Sequence, residues 1–172
     1  MKPTNREIIS RANIINSIPC ALEGRNLPQS TMSALILLQV AYQRAANDFD
    51  TFVREAMDKA KPGYINTLTA SEVPDTDDMT DEQRNAKAEA VKEKEEINRV
   101  FGELHNNHAD AEADKDPGKL SVTQFADICG MIGASGTIVL PITYGIDAEG
   151  KEIKEWPRAA FLQFLASTLV SE

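Results

Sequence analysis

From Gln29 to Ala60 the chain runs without a glycine or a proline, and apolar residues return at alternating intervals of three and four: Leu35, Leu38, Tyr42, Ala45, Phe49, Phe52 and Ala56. Held through three heptads, this spacing predicts a single helix ~48 Å long at about 1.5 Å per residue, with one apolar edge. Ile36, Val40, Val53 and Met57 widen that edge beyond a two-stranded seam, which predicts packing inside a helical bundle. Self-association into a homo-oligomer through the same edge is the sharper alternative. Where the stripe is left uncovered, Leu35, Tyr42, Phe49 and Phe52 are the partner-binding candidates.

Around this helix the punctuation is local and chemical. Thr4 followed by Glu7 has capping-box spacing and opens a first helix with Ile8, Ala12, Ile15 and Leu22 on one face. Pro19 is expected to end or kink it, and "EGRNLPQ" to turn the chain. Residues 4–60 therefore read as a helical hairpin. Residues 61–79 read as loop, with a short extended piece over Tyr64 to Leu68. Thr80 and Gln83 form a second capping box, for an acidic helix over 80–105; residues 106–120 then read as loop. Ser121 and Gln124 form a third box, for a short helix stopped by Gly133. "TIVLPITYGI" and Lys151 to Lys154 predict a small β-hairpin, with Pro141 at an edge or bulge, and Pro157 starts a closing amphipathic helix. The fold class expected is mainly α, a helical hairpin or bundle with a small β-hairpin near the C-terminus. At 172 residues one domain, 1–172, is expected.

Charge narrows the function classes. The net charge of -9 resides in one segment: Ser71 to Pro117 holds 15 acidic and 6 basic residues, and the remainder 12 of each. With no Lys/Arg cluster, direct nucleic-acid binding is disfavoured. No apolar run reaches the roughly 20 residues of a membrane span, and "MKPTNREIIS" lacks the apolar block of a signal peptide, so no membrane role is expected. Cys20 and Cys129 belong to no metal or redox motif and are expected as buried thiols in a reducing compartment.

The stretch "ELHNNHADAEAD" contains the two histidines of the chain. On a helix His105 and His108 would share a face with Glu112 one turn on, a set that could be drawn around zinc or nickel. The neighbouring asparagines and carboxylates, the missing fourth ligand and the absence of H-E-x-x-H favour a solvated loop instead. "GASGT" lacks the nucleophile-elbow pattern around Ser135, and Asp75, Asp77 and Asp78 lack the glycine and glutamate of a calcium loop. No catalytic residue, cofactor or metal is therefore expected, and the chain reads as a non-enzyme.

The order of "NREIISRANIINSI", the Leu27-Pro28 turn, the long helix, "TIVLPITYGI" and "AAFLQFLASTLV" resembles a family of small tailed-phage and prophage proteins of unknown function. The resemblance covers the two ends and leaves out residues from about 61 to 120. It implies a protein of the bacterial cytoplasm or the virion with a viral or host protein as partner, and it carries no catalytic residues. Three functions follow as expectations: a non-enzymatic protein-binding protein acting through helical surfaces; an inhibitor of a host defence or nucleic-acid-processing protein that uses the acidic segment; and, least favoured, a metal-dependent enzyme using His105 and His108.

Overall fold

The structure, a computed structural model, describes residues 2–76 and 78–170. Among them lie α1 (Asn5–Leu22), α2 (Gln29–Ala60), α3 (Tyr64–Ser71), α4 (Asp81–Ala109), α5 (Val122–Ile132), β1 (Thr137–Val139), β2 (Gly145–Ile146), β3 (Glu152–Ile153), β4 (Glu155–Pro157) and α6 (Arg158–Leu169). The chain is mainly α, with a small antiparallel element near the C-terminus. Its contacts form two compact units, Met1–Ala46 with Glu112–Glu172 and, separately, Asn47–Ala111. Residues of α2 contribute to both.

All three capping boxes form. Thr4, Thr80 and Ser121 each accept at the side chain from the backbone N–H three residues on, while Glu7, Gln83 and Gln124 each accept from the cap's own N–H. Pro19 does not end α1, which continues to Leu22. A proline inside a helix leaves the carbonyl four residues back without its usual N–H donor. Here that carbonyl belongs to Ile15, and Gln39 Nε2 on α2 donates to it at 3.4 Å.

The core of the first unit is contiguous. Ile8, Ile15 and Ile18 of α1, Leu35 and Tyr42 of α2, Ile128 and Ile132 of α5, Ile138 of β1, Trp156 of β4, and Phe161, Leu165 and Leu169 of α6 all belong to it. The Tyr42 hydroxyl keeps a polar partner in this setting, donating to Gly118 O at 2.8 Å. The predicted hairpin is present but interrupted: β1 pairs with β4, β2 pairs with β3, and both pairings are antiparallel. Pro141, which has no N–H to give a ladder, falls in the break. Trp156 Nε1 bridges it by donating to Ile142 O at 2.9 Å.

In the second unit, α3 occupies the segment expected to be loop with an extended piece, and it packs on α4. Half of its residues are apolar, yet none is buried. Ion pairs run alongside the packing, from Lys94 to Glu72 at 3.1 Å and from Lys87 to Asp75 at 2.6 Å. The acidic helix also continues past its expected end, through His105 and His108 to Ala109. The buried side chains here are Phe49, Val53 and Met57 of α2 and Ala90, Ile97 and Ala109 of α4. So few apolar groups suffice for a small core of this unit's own.

The carbonyl rescue in α1 has a measurable consequence. Replacing Pro19 by Ala restores the backbone donor and removes ring crowding, set against a small gain in unfolded-state freedom. Pro19→Ala is expected to stabilise the protein by about 1–2 kcal/mol in urea unfolding; a loss of stability would contradict this account of the helix.

Candidate functional site

The histidines lie on the last turns of α4, not in a loop, and their surroundings are aromatic. Phe49, one heptad beyond Tyr42 on α2, meets His105 edge-on with ring centroids 5.1 Å apart and stacks with His108 at 5.3 Å. Phe52 stacks on His108 at 3.7 Å with 20° between the planes, and Phe101 approaches His105 at 6.2 Å. Local sequence shows no apolar repeat here because two of the three rings, Phe49 and Phe52, come from another helix. A stacked imidazole spends its faces on packing, as a small aromatic body with a polar rim.

The expected third member of a metal set, Glu112, lies past the end of α4, where it forms an isolated β-bridge with Thr4 in the first unit. Among the described residues, no group of three or more His, Cys, Asp or Glu side chains is placed to hold a metal ion. Asp77 of the calcium-loop comparison lies outside the described residues. Ser135 is exposed in the bend between α5 and β1. Cys20 is exposed rather than buried; Cys129 is half-buried, and burial pushes its thiol above the ordinary range.

Three of the four partner-binding candidates are taken up by the chain itself. Leu35, Tyr42 and Phe49 are at most 3% exposed, whereas Phe52 is 48% exposed. Phe52 lines an open groove of about 470 Å³ with Glu55, Ala56, Lys59 and Ala60. The uncovered apolar residues of α2 in the first unit are Ile36, Leu37 and Val40, 50%, 72% and 44% exposed. At 100° per residue Leu37 and Val40 fall on the side of α2 opposite Leu35 and Tyr42, with Ile36 on the flank. The sequence flagged two of them only as widening the stripe.

One polar cluster escaped sequence reading. Arg158, at the start of α6, is buried and donates to Ile132 O at 2.8 Å and to Glu23 Oε2 at 2.7 Å. Arg25 donates to the carbonyls of Met131 and Ile132. Two cations thus meet the last carbonyls of α5, where the helix dipole is negative. Glu23, held at φ 50° just past α1, completes the cluster. A lone arginine after a proline gives no sequence signal of burial; only the fold shows what it satisfies.

The hydrogen bond and charge of Arg158 hold the Glu23 carboxyl below its ordinary range. Its contribution to stability is therefore present above the unfolded-state pKa and is lost as pH falls through the folded value. Urea midpoints of the wild type should drop more steeply than those of Glu23→Gln below about pH 4, the difference shrinking with added salt because the carboxylate is half exposed. In the second unit, the Phe52 ring should shift the His108 imidazole protons upfield in NMR spectra. Phe52→Leu should return them toward random-coil positions, and an unchanged spectrum would place the rings apart.

Comparisons with protein-family models, with curated proteins and with solved structures find no match for this chain.

Proposed function

We propose that this chain is a non-enzymatic, phage- or prophage-encoded protein-binding protein. It presents helical surfaces to a viral or host protein, in the cytoplasm of a bacterial host or in the virion. One observation carries the reading: Ile36, Leu37 and Val40 form an apolar face at i, i+1 and i+4 on the outer side of α2. Their neighbours on that helix fill the core, while about half of Ile36 and Val40 and most of Leu37 are left to solvent. Burial against a partner recovers roughly 25 cal/mol for each Å² of apolar surface, and adjacent exposed apolar side chains on a helix are a common docking motif. The order of parts, from the Leu27-Pro28 turn to the closing hairpin and helix, supports the phage assignment.

An inhibitor that imitates nucleic-acid charge finds less support. On one face of α4, Glu82, Glu89, Glu93 and Glu96 lie about 4–11 Å apart along the axis at ~1.5 Å per residue, against one charge per ~1.7 Å in duplex DNA. Lys87, Lys94 and Arg99 also neutralise part of the segment by pairing with Asp75, Glu72, Glu96 and Glu103.

The test is affinity capture from phage-infected and uninfected bacterial lysates, comparing the wild type with Leu37→Asp/Val40→Asp. The expected outcome is a defined partner retained by the wild type and lost by the variant, whose circular dichroism and melting stay unchanged because both positions face water. The same proteins on both baits, or none on either, would defeat the reading.

A further inference from the structure

The two units differ in how much apolar material each encloses. The core of the first brings together twenty buried residues, and none of them lies between Asn47 and Ala111. Among the described residues of the second unit, the buried apolar side chains are Phe49, Val53, Met57, Ala90, Ile97 and Ala109, two of them alanines. Close helix packing there joins α4 to α3, which buries nothing of its own. Phe49 and Phe52 link α2 to α4 through ring contacts with His105 and His108. A unit of 65 residues with so small a core is near the lower limit of what burial alone stabilises.

Charge is divided as unequally. Asn47–Ala111 has 16 acidic and 8 basic residues, a net charge of -8, whereas the rest of the chain has 11 and 10, a net charge of -1. Lys61, Lys87, Lys94 and Arg99 each pair with an exposed carboxylate, and such pairs stabilise little. With every base of the unit matched, eight carboxylates are still in excess. Glu89 and Glu93, both exposed, stand one turn apart on α4, a spacing at which like charges destabilise a helix. Like charge gathered in a compact body favours its opening. At about 10 mM salt that repulsion reaches roughly 30 Å, and at about 150 mM it is cut to roughly 8 Å.

We infer that the second unit opens and closes as a body of its own while the first stays folded, with ionic strength setting the balance. Dilute salt favours the open form, and salt near that of a cell the closed one. Opening uncovers Phe49, Val53 and Met57 on the C-terminal half of α2 and Ile97 on α4, none of which belongs to the core of the first unit. The N-terminal half of α2 keeps its anchor, because Leu35 and Tyr42 do belong to that core. The chain thus holds an apolar surface in reserve, hidden or shown by the surrounding electrolyte. This device depends neither on the phage assignment nor on the Ile36, Leu37 and Val40 face.

Hydrogen–deuterium exchange of the full chain, read by mass spectrometry at fixed pH in about 10 mM and about 150 mM NaCl, tests it. In dilute salt, amides of residues 50–57, 67–71 and 90–100 should share one opening and exchange at least tenfold faster than those of 8–18 and 162–169. The higher salt should slow the first group at least threefold and the second less than 1.5-fold. Glu89→Lys/Glu93→Lys, at exposed positions, should slow exchange of the second unit in dilute salt and shrink its response to NaCl. Ile97→Ala, which leaves a cavity in the small core, should speed that exchange and leave residues 8–18 unchanged. Equal protection of the two units, an equal salt response in both, or a scatter of rates along α4 in place of a shared one would overturn the inference. So would charge reversals without effect, or an Ile97→Ala variant that speeds both units alike.

Discussion

A helix as long as α2 is not held by its own hydrogen bonds; in water its polar stretches would fray, and what keeps it in register is the burial of one edge. That edge does two jobs in succession. Leu35 and Tyr42 enter the core of the first unit, and Phe49, Val53 and Met57 enter that of the second. Every other element of the two units has a core to complete because this edge is present. In the first unit the demand is met by isoleucines of α1 and α5 and by the aromatic side chains of β4 and α6. In the second it is met by small residues and a single isoleucine of α4.

The same edge explains why the seam was legible and its purpose was not. Period alone says that Leu35, Tyr42 and Phe49 will be covered; it does not say by what. A chain with too little apolar material elsewhere would present them to a partner. This chain supplies its own cover for those three, and leaves in water Phe52 of the seam together with Ile36, Leu37 and Val40 beside it.

Signals written within four residues were read correctly from sequence: the three capping boxes, the stop at Gly133 and the helix start at Pro157. Those that depend on a distant group were not. Pro19 is tolerated because Gln39 reaches its orphaned carbonyl. Tyr64 to Ser71 becomes helix because α4 offers it a packing surface and cations for its acidic end. His105 and His108 are ordered because Phe49 and Phe52 come to them, so a segment that looks like wet loop in its own composition is the end of a helix. In each case the missing information is tertiary, and a local window cannot contain it.

The beginning of the chain has a role beyond capping α1. Pro3 O accepts from Ala113 N–H at 2.8 Å, Lys2 Nζ reaches Asp114 O at 3.4 Å, and Thr4 is bridged to Glu112. The point where the backbone rejoins the first unit is thus fastened to residues synthesised more than a hundred positions earlier. Trimming the leading residues would loosen this clasp as well as fray a helix end, and an affinity handle is better grafted at the Glu149–Gly150 turn of the hairpin, where the backbone is exposed and held by Asp147.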